Sequence, residues 1–277
     1  MSKLKQCYGD WALVAGAAAG LGESFCISLA KNGMNIIMID NQKELLMSLS
    51  EKLTNTYQIQ TIPLHIDLFQ DDAVEVIMKE TANLAVRLMI YNAAFSRIKR
   101  FENYSPDELD QYLKVNTGTP LKLVHAFSNR LIQRNQSGGI LLMSSLAGLL
   151  GMQYIAPYAA SKAFTWNLAE SLHYELKPHK IDVMACIAGA TSTEAYLGTN
   201  PQYGFIKPQV QQPSDVAELA LKKLGKSALY IPGFSNRFNY FILTRLLPRK
   251  LASYLANKTM KSMYSVNVAE TIRNAHL

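Results

Sequence analysis

Cysteine is scarce in this chain and badly placed for chemistry. Cys7, Cys26 and Cys186 are odd in number, widely spaced and form no CxxC pair, so neither a disulfide framework nor a thiolate metal site is expected. His65, His125, His173, His179 and His276 fall at no metal-ligand spacing, which leaves each to a structural or surface role; no metal is expected. No run approaches the ~20 apolar residues of a membrane-spanning helix. The opening "MSKLKQCYGDWALVAG" lacks an apolar stretch of signal length, so the cytoplasm is the expected compartment. Internal repeats, low-complexity tracts and Pro/Gly/Ser linkers are missing too. Acidic side chains almost vanish near the end. From Arg237 onward seven basic residues face Glu270 alone, so nearly all of the net charge of +7 sits in the tail.

What is present suits a packed α/β domain. The 277 residues are 49% apolar and only 18% charged, enough to build a sizeable core. Short apolar runs alternate with helical patterns. "WALVAG" (11–16), "NIIMID" (35–40), "QTIPLHID" (60–67), "VRLMIYN" (86–92), "GGILLMSS" (138–145), "IDVMACIAG" (181–189) and "ALYIPG" (228–233) read as strands. Helices are expected from Leu21 to Asn32 with Gly33 as its cap, from about Lys43 to Thr56, around Asp71 to Glu80, from about Pro157 to Lys177 and from Ser214 to Leu224. A further long helix follows "SPDELD", where Ser105 caps, Pro106 takes the first turn and Glu108 completes a capping box. Apolar strands each followed by a helix predict a doubly wound parallel sheet of Rossmann type, with helices on both faces. Residues 1–233 form the expected domain, and 234–277 a basic, amphipathic helical extension.

"VAGAAAGLGESF" places Gly16, Gly20 and Gly22, with Leu21 between the last two, where the first strand turns into the first helix. Glycine lets the backbone approach a pyrophosphate, and the helix start offers unpaired N–H groups to the anion. Asp40 closes the second strand, where a carboxylate would accept both adenosine ribose hydroxyls and repel a 2′-phosphate. No arginine stands beside it, although Lys43 is near, and NAD is expected over NADP.

Tyr158 and Lys162 lie one helical turn apart, and Ser145 ends the strand before them. An ammonium near a phenol favours phenolate and is expected to lower the tyrosine pKa, making the pair a general acid/base. Ser145 can reach the carbonyl oxygen that the tyrosine protonates.

On these residues the chain resembles the short-chain dehydrogenase/reductase family across residues 8 to 233, and within it the branch of the 17β-hydroxysteroid dehydrogenases. The family's glycine motif matches Gly16, Gly20 and Gly22, and its adenine-contacting acid resembles Asp67, followed by Leu68. Its NNAG motif appears as "YNAA", with Asn92 and Ala93 at the cofactor. Its helix asparagine matches Asn116 in "KVNTG", and its Ser, Tyr and Lys match Ser145, Tyr158 and Lys162. "AGATST" matches the loop after the sixth strand through Gly189 and Thr193. Ala15, Tyr91, Ala94 and Ala188 depart from the family pattern without removing a proton-transferring group.

The resemblance implies that Tyr158 moves the substrate proton, Lys162 lowers the tyrosine pKa and holds the nicotinamide ribose, and Ser145 fixes the substrate oxygen. It further implies that Asn116 anchors a water linking Lys162 to solvent and that Thr193 holds the carboxamide. The expected activity is hydride transfer between a nicotinamide cofactor and a secondary alcohol or ketone. Two alternatives stand beside it: reduction of a 3-oxoacyl thioester on an acidic carrier docked at the basic tail, and a non-enzymatic dinucleotide sensor.

Phe95, Leu149, Leu150, Met152, Tyr154, Tyr196, Leu197, Tyr203 and Phe205 suggest a small hydrophobic substrate, steroid-like or fatty-chained, with the 194–212 segment folding over it. In the tail, Phe238, Phe241, Ile242 and Leu246 recur at helical spacing, with Arg245 intruding on their face. Pro248 interrupts before a second helix from about Leu251. The favoured reading packs this apolar face on the domain or on a second subunit beside the cleft. The alternative lays it on anionic lipid as a peripheral membrane contact. Nucleic acid is not expected, since the tail has no recognisable binding motif. A homo-oligomer is.

Overall fold

The computed structural model describes residues 2–203 and 208–274, with side chains as far as Tyr264. Helix α1 (Lys3–Tyr8) opens the chain, capped by Ser2, whose Oγ accepts from the Lys5 amide. It is an element beyond those expected from sequence. Strand β1 (Trp11–Ala15) leads to α2 (Gly20–Lys31), β2 (Asn35–Asp40), α3 (Lys43–Tyr57), β3 (Thr61–His65), α4 (Ala73–Glu80) and β4 (Val86–Tyr91). Then come α5 (Pro106–Leu113), α6 (Thr119–Gln133), β5 (Gly138–Ser145), α7 (Ala156–Glu175), β6 (Ile181–Ala188), α8 (Glu194–Leu197) and α9 (Pro213–Lys223). Strand β7 (Leu229–Tyr230) is only two residues long, shorter than the expected run. Two helices close the described chain, α10 (Phe234–Phe241) and α11 (Arg249–Asn274).

All seven strands are parallel, in the order β3-β2-β1-β4-β5-β6-β7. The order reverses between β1 and β4, which opens a crevice beyond their carboxyl ends. Pro63 sits on β3 at the sheet edge, where a missing amide donor is tolerated. Alternate residues of β1 feed two cores. Ala12 and Val14 join Phe25, Leu29 and Val216 on one face; Leu13 and Ala15 join Leu123 and Phe127 on the other.

Two helix ends follow from local chemistry. Gly33, at φ +73°, donates to Ala30 O and lets Met34 donate to Leu29 O, closing the carboxyl end of α2. Ser105 and Glu108 form the reciprocal capping box of α5. The single long helix expected after it is not regular. Lys114–Gly118 form a π-helical turn between α5 and α6. Pro120 follows and has no amide hydrogen to give the Asn116 carbonyl, so a regular α ladder cannot pass this point.

The β1–α2 turn has no room for a side chain. A Cβ on Gly22 would lie 1.8 Å from Gly16 O, whereas one on Gly33 would meet nothing within 4 Å. Gly22→Ala is therefore expected to cost about 3 kcal/mol, since a backbone atom must move. Gly33→Ala should cost only about 1 kcal/mol, from its positive φ. Urea denaturation of both variants checks the order; equal midpoints would contradict it.

Candidate active site

The crevice at the sheet reversal is a cleft of about 500 Å³. Gly16, Gly20, Leu21, Asp40, Asp67, Leu68, Asn92, Ala93, Tyr158 and Thr193 all line it. Gly16 turns at φ +77°, and a Cβ there would sit 2.6 Å from the Ala93 backbone. Ala19, the cap residue of α2, has no side-chain hydrogen bond to the helix, so backbone amides face the cleft without a capping oxygen. Asp40, 8% exposed, accepts from the Ala18 amide at 2.9 Å and the Gln42 amide at 3.1 Å. Those two bonds hold the carboxylate at the end of β2. Asp67 Oδ1 accepts from the Phe69 amide at 3.0 Å. A glycine floor, an uncapped helix start and a carboxylate at the second strand fit a dinucleotide.

Ser145 ends β5, and its Oγ accepts from the Ala147 amide at 3.2 Å, starting a 3₁₀ turn over Leu146–Leu149. Gly148 brings that turn against α7: a Cβ on it would lie 2.7 Å from Lys162 C. Lys162 is 5% exposed, with Nζ donating to Met143 O at 2.9 Å and lying 5.5 Å from the Tyr158 ring centre. Burial draws the Lys162 ammonium down to about 8. Burial also pushes the Tyr158 phenol up to about 12, opposed by hydrogen bonding with Ser145. The phenol thus moves opposite to the lowering expected from the neighbouring ammonium, because burial disfavours the phenolate.

Asn116 lies in the π-helical turn and is buried. Its Oδ1 accepts from the Phe95 amide at 2.7 Å, and its Nδ2 donates to Phe95 O and Ser161 Oγ. Tyr91, one of the departures from the family pattern, braces the same turn by donating to Val115 O at 2.7 Å. Thr193 caps α8 and lies close against Gly20, where a Cβ would sit 3.1 Å from its Cγ2. Gly189 lies outside the cleft lining: a Cβ there would be 2.5 Å from Asn236 Nδ2, so this glycine admits the tail. Among the described residues no His/Cys/Asp/Glu group could hold a metal ion.

On its other side Tyr158 packs against a cluster of Ile155, Met260, Met263 and Tyr264, joined by Met152, Tyr154 and Tyr203. The tail therefore forms a wall of the site. Leu149 and Leu150 pack with Ala252 of α11, while Leu197 is exposed; Phe205 lies outside the described residues. Tyr196 and Tyr203 join hydroxyls at 3.0 Å. Asn257 pins α11 to the loop below: its Oδ1 accepts from the Gln153 amide at 2.7 Å and its Nδ2 donates to Gly151 O at 2.9 Å. Sequence reasoning does not single out Gly148, Asn236 or Asn257. Gly148 has a local signal, a glycine within the apolar run "LAGLL" directly after the strand that ends at Ser145. The two asparagines have none, since their partners are distant in the chain.

The sequence model of the short chain dehydrogenase family matches residues 10–203. The 7beta-hydroxysteroid dehydrogenase of Mediterraneibacter gnavus is 30% identical over 237 residues, covering 84% of this chain and 90% of that protein. The very-long-chain 3-oxoacyl-CoA reductase of Bos taurus is 26% identical over 265 residues, covering 94% and 80%. A solved structure from work on 7beta-hydroxysteroid dehydrogenase stereoselectivity matches with a TM-score of 0.84 at 26% identity, over 92% of this chain and 99% of that one.

Proposed function

The chain belongs to the short-chain dehydrogenase family, NAD(P)-dependent oxidoreductases of the CH–OH group, and we propose that it interconverts a secondary alcohol and a ketone on a hydrophobic, steroid-like or fatty-chain substrate. The position of Tyr158 carries this reading. Its phenol borders the dinucleotide cleft on one side and the apolar wall of Ile155, Met260 and Met263 on the other. When bound, the nicotinamide cofactor supplies or accepts the hydride. Gly16, Gly20, Leu21 and Gly22 would cradle its pyrophosphate, Asp40 its adenosine ribose, and Asp67, Leu68, Asn92, Ala93 and Thr193 the remainder.

In ketone reduction the Tyr158 hydroxyl gives its proton to the substrate oxygen, and in alcohol oxidation it takes one. A phenol near 12 is fully protonated at neutral pH, which suits the reductive direction. Ser145 holds the same oxygen by a hydrogen bond. Lys162 presents a positive charge beneath the phenol, and Asn116 keeps the Phe95 segment and α7 in place. The basic tail and the likeness to a 3-oxoacyl-CoA reductase favour one second reading, reduction of a 3-oxoacyl thioester. The three free thiols support a cytoplasmic compartment, and exposed Leu121 and Tyr174 on α6 and α7 support a homo-oligomer.

A ketone panel that includes oxosteroids and 3-oxoacyl thioesters, followed by NADH fluorescence, tests the assignment. Tyr158→Phe should lose roughly 10²–10⁴-fold in turnover while still binding cofactor, because only the proton-carrying oxygen is removed. Comparable turnover in the mutant would sink the reading.

Reduction needs a charged Lys162 beside a protonated Tyr158. Its rate should be level below about pH 7 and fall as pH rises through about 8, where the ammonium is lost. A profile flat to pH 10 would show that the lysine charge is not required.

NAD(H) should bind more tightly than NADP(H). At ~4 Å and an effective dielectric near 20, each unit of like charge opposite Asp40 costs up to about 4 kcal/mol. Asp40→Ala should narrow the gap in isothermal titration, and tighter NADP(H) binding by the wild type would refute this role.

A further inference from the structure

The sequence favours packing for the apolar face of the tail, and the structure divides that face in two. Ala252, Met260, Met263 and Tyr264 are buried against the domain. Phe238, at 55% exposed, Phe241 and Leu246 are not, and Ile242 alone of the expected stripe is half-covered. Among the described residues, half of the large apolar side chains that are exposed fall between Phe234 and Leu255. Phe234, Phe238 and Phe241 recur at one turn of α10, with the first two rings stacked at 6.4 Å. Leu251 and Leu255 repeat the pattern on α11.

The charges around them are of one sign. No aspartate or glutamate occurs from residue 219 to 269. Arg237, Arg245, Arg249, Lys250, Lys258 and Lys261 are all exposed, and none forms an ion pair among the described residues. We propose that α10, the turn after it and the first half of α11 form a docking surface for an anionic lipid bilayer, with the aromatic and leucine side chains entering the headgroup region and the cations pairing with lipid phosphates and carboxylates.

Three observations choose this occupant. The inner side of the helices is already spent on the domain, so their own fold cannot cover the outer side. A self-complementary contact with a second copy would set the same arginines and lysines against each other. No helix among the described residues is long and apolar enough to cross a membrane, so the contact lies at the interface. The docking stands whichever ketone the site takes.

The test uses the full chain in co-sedimentation with vesicles of phosphatidylcholine alone and of phosphatidylcholine mixed with phosphatidylserine. Sedimentation velocity and thermal unfolding are measured in parallel. Binding is expected only to the anionic vesicles, and should weaken at least roughly tenfold between about 0.05 and 0.5 M salt. The pairs Phe238→Ser with Phe241→Ser, and Arg245→Glu with Lys250→Glu, should each weaken it at least roughly tenfold, with folding and mass unchanged. Absence of salt-sensitive binding, or binding that both pairs retain, overturns the proposal. So does a fall in mass in the phenylalanine pair, which would assign the face to a second copy of the chain. None of these readouts uses turnover, so they remain separate from the test of the reaction.

Discussion

Gly16 and Ala17 both donate to the carbonyl of Ile39, at 2.8 and 3.1 Å, while the carbonyl of Ala15 accepts from Asn92 and Ala93 at 2.9 and 3.0 Å. These four bonds tie the ends of β2, β1 and β4 at the place where the sheet order reverses. They require Gly16 to pass 2.6 Å, measured from a would-be Cβ, above the Ala93 backbone, and Gly22 to turn back over Gly16 O. With that knot in place α2 starts at the crevice, and the Ala18 amide reaches Asp40. Asn92 Nδ2 closes the arrangement by donating to Gly16 O at 2.8 Å. The floor of the cleft is backbone because a side chain at either glycine would force these strand ends apart.

The reacting side depends on a second close approach. Ser144 Oγ donates to Lys162 O at 2.7 Å, and Lys162 Nζ returns to Met143 O at 2.9 Å. Strand β5 and helix α7 are thus joined from both directions, with Gly148 letting the intervening turn lie on the helix. Ser145 and Tyr158 meet as a consequence of that packing, although they are well separated in sequence. The π-helical turn adds the third support, since Asn116 reaches both the Phe95 backbone and Ser161 on α7.

Much of this was legible because it rests on local rules. Apolar runs bounded by glycine located the strands, and β2 and β5 match their expected limits residue for residue. The capping box of Ser105 and Glu108 and the glycine end of α2 are short-range motifs, readable without tertiary contacts. Ten of the expected cofactor residues share one cleft because parallel strands end on one side of a sheet. Other features depend on contacts between distant segments. The π-helical turn is braced from β4 by the bond from Tyr91 to Val115. Helix α1 is fixed by Tyr8 donating to Asp182, 174 positions away. The close approach of Asn236 to Gly189 is likewise absent from the motif, because Asn236 comes from the folded tail.

Burial explains why the Tyr158 phenol moves opposite to the expected direction. Two opposing effects act on Tyr158: an ammonium nearby favours the phenolate, and loss of water disfavours it. From spacing alone only the first is visible. In the structure Tyr158 packs against the cluster of Met260, Met263 and Tyr264, and one N–H donor of the Lys162 ammonium goes to Met143 O. Desolvation then acts on both partners, raising the phenol and lowering the ammonium, so each is pushed toward its neutral form. The apolar wall that favours a hydrophobic substrate therefore also contributes to the burial that raises the phenol of the group that would protonate it. A change in the tail that admitted water would move both properties together, making substrate preference and pH dependence two consequences of one packing contact.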